Sequence, residues 1–144
     1  MLRVFTEISQ ELESIIKDDP IRPEIPLAQR VNSNSEVFVL DDEQGQHRAV
    51  VCVKFLADIP ECVEDLLTAN QQFTTAVFYT IWSYARGAGR ELIEQATSFI
   101  ESQHPEINTY VTLSPKTDMA REFHHRNGAI TYRENQDTVN YLYR

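Results

Sequence analysis

The chain has 144 residues, of which 42% are hydrophobic and 24% charged, with a net charge of −9. That is the length of one domain with enough apolar material for a core without disulfide or metal staples. The acidic balance argues against a nucleic-acid partner, and no apolar run approaches a membrane span. In chain order, Val4, Ile8, Leu12, Ile15 and Ile16 recur at helical spacing, which predicts a helix over 4–17 ended by Asp18-Asp19-Pro20. Acids at Glu7, Glu11 and Glu13 leave no apolar signal region, so a cytoplasmic chain is expected. Pro20, Pro23 and Pro26 mark residues 20–35 as an extended connector. Glu36 to Leu40 and His47 to Leu56 read as the two strands of a hairpin around the turn Asp41 to Gly45. Cys52 lies in the second of them, in an apolar run that predicts a buried free thiol rather than a disulfide. Ile59 to Ala69 reads as a short amphipathic helix with Cys62, Val63, Leu66 and Leu67 on one side.

The second half is more regular. Thr75 to Ser83 is almost continuously apolar, as a strand buried on both faces would be. Arg86-Gly87-Ala88-Gly89-Arg90 then turns into a helix over 90–103, with Leu92, Ile93, Ala96, Phe99 and Ile100 toward the core. Ile107 to Leu113 is a strand. Ser114-Pro115 reads as the N-cap and first residue of a helix running to Asn127, with Gly128 just past its end. Ile130 to Arg133 and Thr138 to Tyr143 are the last strands. Tyr132, Tyr141 and Tyr143 read as strand packing, and the edge from Asn140 to Tyr143 as a place where a second copy can pair to give a homodimer. The order of elements predicts a mixed α/β domain over 1–144, with residues 1–35 as helix and connector and 36–144 as the core.

Two stretches carry chemistry. Gly87 and Gly89 sit between a buried strand and a helix start, where free N–H groups, the positive dipole end and the missing Cβ suit a pyrophosphate, with Arg86 and Arg90 adding charge. Neither the Walker pattern nor the dinucleotide G-x-G-x-x-G is present, because Leu92 stands at the third glycine position. Farther on, Phe123-His124 lies near the end of the short helix, and His124 is a proton donor suited to neutral pH, as imidazolium or through a water. Read from the residues alone, Ser114 is a helix cap, His124 a packed histidine and His125 a solvated one. No His/Cys/Asp cluster has the spacing of a metal site.

Tyr84-Ala85-Arg86-Gly87-Ala88-Gly89 resembles the coenzyme A pyrophosphate loop of the GNAT (N-acetyltransferase) superfamily, Q/R-x-x-G-x-G/A, with Tyr84 in place of Gln or Arg. Ala120-x-x-Phe123-His124 resembles its A-x-x-F-Y helix, where the tyrosine protonates the leaving thiolate. Residues 75–84 hold no Asp or Glu to act as the acidic base of many of these transferases. The second half resembles the catalytic domain of malonyl-CoA decarboxylase more specifically. Ala76-Val77-Phe78-Tyr79-Thr80-Ile81, Gly89-x-x-Leu92-Ile93, Thr112-Leu113-Ser114-Pro115, Phe123-His124-x-Arg126-Asn127-Gly128-Ala129 and Val139-Asn140-Tyr141-Leu142-Tyr143 follow that family's blocks in order, over about residues 36–144. Its long insertion between the Ser-Pro and Phe-His motifs, its P-I-P-G-F continuation and its large N-terminal helical domain have no counterpart here.

The resemblance implies an acyl-CoA-binding fold with a twisted, mostly antiparallel sheet flanked by helices. It implies Ser114 and His124 as the catalytic pair. The pyrophosphate would lie over Arg86, Gly87, Ala88, Gly89 and Arg90, with Tyr84 beside it, and the pantetheine along the strand that carries Ile81 and Trp82. The implied substrate is a coenzyme A thioester, malonyl-CoA or acetyl-CoA, with no metal.

Overall fold

A computed structural model describes residues 1–67 and 72–143. One mixed sheet organises them, with helices on both faces. Its strands are β1 (Leu2–Phe5), β2 (Ser35–Asp41), β3 (His47–Leu56), β4 (Thr75–Ser83), β5 (Thr109–Thr112), β6 (Ser114–Pro115), β7 (Ile130–Glu134) and β8 (Thr138–Tyr143). The helices are α1 (Gln10–Ile16), α2 (Ala88–Gln103) and α3 (Asp118–Arg126). Strand β4 pairs β5 in parallel, and every other pairing is antiparallel.

The sheet separates two cores. On one face Leu12 and Ile15 of α1 and Ile25 and Val31 of the connector pack on Val37, Cys52, Tyr79 and Val111. On the other, Leu92, Ile93, Ala96 and Ile100 of α2 pack on Phe38, Val51, Phe55 and Phe78. The near-continuous valine run of β3 and the apolar β4 follow from this, since both of their faces are covered. Cys52 is buried and free, and burial pushes its thiol up to about 11. No described helix is long and apolar enough to cross a membrane.

Four sequence expectations are corrected. The helix expected over 4–17 is a strand, β1, followed by the shorter α1. Edge pairing of β1 on β2 claims residues 2–5, and the Ser9 hydroxyl caps α1 by accepting from Leu12 N at 3.1 Å. Ile8, counted on the helix stripe, is exposed. The helix expected from Ile59 is a 3-10 turn, Val63–Leu67, with Leu66 buried and Leu67 exposed; residues 68 and 69 lie outside the described residues. Ser114-Pro115 does not open α3 but extends the sheet, and Thr117 caps the helix instead by accepting from Ala120 N at 3.2 Å. The expected free edge at Asn140 to Tyr143 is absent, because β8 pairs β5 and β6 on one side and β7 on the other. Beside β8 the open edge is that of β7, where Tyr132 is half exposed rather than packed.

Candidate active site

The site begins where the sheet divides. Strand β4 pairs β5 only from Thr75 to Phe78. Beyond that point β6 continues β5 in the same register along β8, so the chain follows β8 and leaves the upper half of β4. A bulge at Tyr79 helps, since Cys52 pairs Thr80 and Val53 pairs Phe78, leaving Tyr79 without a partner on β3. Bulges bend and twist a strand locally. The result is a fork between Thr80 to Ser83 and Ser114 to Pro115.

A cleft of about 630 Å³ fills the fork and passes through the sheet. On the α2 face it is lined by Gly89, Ala120 and Phe123, and on the α1 face by Pro20 and Ile21. Ser114 and His124 both line it, as do Ile81, Trp82 and Met119. Met119 is largely exposed at its rim.

His124 is 4% exposed. Its ring lies over Tyr141 at 5.1 Å and its Nδ1 is 2.6 Å from the Tyr143 hydroxyl. Burial, with a smaller push from His125, lowers its pKa to about 4. The ring is therefore neutral at pH 7, so of the two routes open from the sequence, imidazolium or a water relay, the imidazolium is not the resting form. Tyr143 is itself held well above the ordinary phenol range by burial. Its hydroxyl makes no other hydrogen bond among the described residues; when it donates to Nδ1, the ring proton stands on Nε2. His125 is exposed and pairs with Thr131 Oγ1 at 2.8 Å, as a solvated neighbour should. Ser114 is buried and donates to Thr112 Oγ1 at 2.7 Å. Thr112 Oγ1 in turn accepts from Tyr141 N at 3.0 Å, which fixes the start of the β6 arm.

The glycine turn stands at one end of the fork. Gly87 is the α2 N-cap with φ +79°, a left-handed conformation that favours glycine. Gly89 serves a different purpose: a Cβ there would lie 2.9 Å from Phe123 Cζ, so its absence lets α2 approach α3. Of the expected ligand-binding residues, Ile81, Trp82 and Gly89 line the cleft with Ser114 and His124. Tyr84, Arg86, Gly87, Ala88 and Arg90 form the adjoining turn and helix start outside the lining. Arg86, Gly87 and Arg90 are exposed and Ala88 is buried. Arg90 pairs with Glu94 at 3.2 Å, and Tyr84 donates to Asp18 at 2.6 Å while accepting from Trp82 Nε1 at 2.9 Å.

One group was not anticipated. Asp19 and Arg30 form an ion pair at 2.7 Å with neither side chain exposed. Asp19 Oδ1 also accepts from Ile21 N, Arg22 N and Thr80 Oγ1. Burial alone would raise this carboxyl, but these donors outweigh it and hold it below its ordinary value. Arg30 further donates to the Ile25 and Arg22 carbonyls. Asp19 is thus a saturated carboxylate, not a free base. The sequence signal was the Asp-Pro step, where an Asx turn was readable; the partner Thr80 is 61 residues away and was not.

No protein-family model matches the chain, and no curated protein matches it. Among solved structures, malonyl-CoA decarboxylase from Agrobacterium vitis matches at 26% identity and TM-score 0.69, over 85% of this chain and 35% of that one. Malonyl-CoA decarboxylase from Rhodopseudomonas palustris matches at 19% identity and TM-score 0.77, over 99% and 59%. The fold is GNAT-like and resembles malonyl-CoA decarboxylase. PaiA N-acetyltransferase from Thermoplasma acidophilum, solved in complex with coenzyme A, shares the GNAT-like fold at 9% identity and TM-score 0.65, over 100% of this chain and 99% of its own. The chain therefore spans about a third to three fifths of the decarboxylases it matches.

Proposed function

We propose that the fork cleft binds a coenzyme A thioester and that the protein decarboxylates malonyl-CoA, or a related malonyl thioester, to acetyl-CoA and carbon dioxide. The observation that carries this reading is the meeting of Ser114 and His124 on one through-sheet cleft that opens beside the glycine turn of α2. The pyrophosphate would sit on the N–H groups of the turn and the charges of Arg86 and Arg90, and the pantetheine along Ile81 and Trp82. In the chemical step the bond between the α-carbon and the carboxylate breaks. Its electrons move into the thioester carbonyl, carbon dioxide leaves, and the enolate carbon takes a proton. His124 is the donor. In the tautomer where Tyr143 donates to Nδ1, the neutral ring gives its Nε2 proton to the strongly basic enolate carbon, and water returns a proton to the ring after carbon dioxide has left. Ser114, by turning its hydroxyl proton from Thr112 Oγ1 to the ligand, holds the departing carboxylate in line with the carbonyl π system. Among the described residues the cleft lining holds no Lys, Arg, Asp or Glu, so a bound carboxylate is poorly solvated and its loss as a neutral gas is favoured.

Acyl transfer from coenzyme A to an amine is the second reading. The likeness to PaiA, over 99% of that acetyltransferase, favours it. Against it stands the lack, among the described residues, of a free carboxylate in the cleft lining to take the amine proton. The third reading is an acyl-CoA-binding module without turnover. Incubation with malonyl-CoA and no acceptor, read by mass spectrometry, separates them. Acetyl-CoA formation that disappears in His124→Ala, with Ser114→Ala far more damaging here than to any transfer activity, supports decarboxylation. Intact malonyl-CoA, with acetyl-CoA consumed only when an amine is added, supports transfer. Thermal stabilisation by coenzyme A thioesters with none consumed selects the binding module.

A further inference from the structure

We infer that Pro20 and Ile21 form a fixed strap across the far end of the cleft, and that Ile21 sets the longest acyl chain the site accepts. The inference rests on the acyl-CoA reading of the cleft. The glycine turn and Gly89 belong to the α2 face, whereas Pro20 and Ile21 line the cleft from the α1 face, so a chain threaded through the fork ends against them.

The strap is anchored to both arms of the fork. Asp19, just before it, accepts from Thr80 Oγ1 at 2.9 Å on the β4 arm. Arg22, just after it, donates through Nη2 to the Leu113 carbonyl at 3.0 Å, where the β5 arm turns away. Arg30 ties the two anchors together, pairing with the Asp19 carboxylate and donating to the Arg22 carbonyl at 2.6 Å. Pro20 adds a restricted φ. A wall held this way does not recede before a longer ligand. Ile21 is half-buried and belongs to neither core, so its side chain is free of a packing role. Each methylene that finds room in such an apolar cleft strengthens binding about fourfold, and the first that overlaps Ile21 reverses the trend.

Calorimetric titration of the full chain with coenzyme A and with acetyl-, butyryl- and hexanoyl-CoA tests this. For the unaltered protein, hexanoyl-CoA should bind at least tenfold more weakly than acetyl-CoA. Ile21→Ala should abolish that difference and leave coenzyme A within twofold. Ile21→Phe should extend the penalty to butyryl-CoA. Circular dichroism melts check that both variants fold, and either alone gives a readout. Equal affinity of the unaltered protein for acetyl- and hexanoyl-CoA overturns the inference, as does a uniform change for coenzyme A and all thioesters in the variants. Failure of the unaltered protein to bind any coenzyme A species overturns the acyl-CoA reading itself, and this inference with it.

Discussion

His124 is held neutral because its ring is buried against Tyr141 and Tyr143, with a smaller push from His125. A histidine whose folded pKa lies near 4, against 6.5 when unfolded, makes the unfolded chain the better proton acceptor between those values. Stability should therefore fall as pH drops from about 6.5 to about 4, by up to about 3 kcal/mol from this residue. Urea unfolding at several pH values checks the sign. His124→Gln should flatten the curve over that window, whatever it costs at pH 7. At this scale the sequence identified Ser114 and His124 as site candidates, but read from the residues alone it gave Ser114 a capping role and left the charge of His124 open. Both followed from local rules. Ser-Pro is a good helix opening and an unperturbed histidine is half ionised near 6.5, and only the β8 pairing and the tyrosine packing override them.

At the scale of elements, α2 and α3 meet at Gly89 and Phe123, and that contact bounds the cleft. Gly89→Ala carries a helix-propensity gain of about 1 kcal/mol. It also carries a steric cost of about 1–3 kcal/mol, because the new Cβ would stand 2.9 Å from the phenyl ring. Stability should then change by 2 kcal/mol or less, on the order of the difference between these effects. The ring, however, must shift, so affinity for coenzyme A thioesters should fall at least tenfold. Gly89→Ala with Phe123→Leu should restore much of it, and titration of both variants decides. The periodic patterns of β3, β4 and α2 were legible because these elements face the cores. β1 and the segment before α3 were not, since their conformation is set by neighbouring strands.

Across the whole molecule, the buried Asp19–Arg30 ion pair ties the connector to itself, and Thr80 Oγ1 and Arg22 join it to the sheet. Removing only one partner strands a charge. Asp19→Asn should lower unfolding stability by about 3–5 kcal/mol, as read from urea denaturation. Replacing both groups by apolar residues, Asp19→Leu with Arg30→Met, should cost less than the single change. The carboxyl is held below its ordinary value, so its contribution is present above about pH 4 and is lost as pH falls below it. The same network joins the two arms of the fork, so Asp19→Asn should loosen ligand binding together with the fold.

The hairpin of β2 and β3, the buried β4, the turn into α2, the terminal strands and the family resemblance were legible in the order of residues. Each is written in residues close together, as alternation, apolar runs, glycines or short motifs. The tertiary structure decided the rest: the fork, the through-sheet cleft, the neutral state of His124 and the strap at Pro20 and Ile21. These depend on contacts such as Asp19 with Thr80, Arg22 with Leu113 and His124 with Tyr143, whose partners lie 61, 91 and 19 residues apart. No local period encodes such pairs; they follow only once the strands have taken their register.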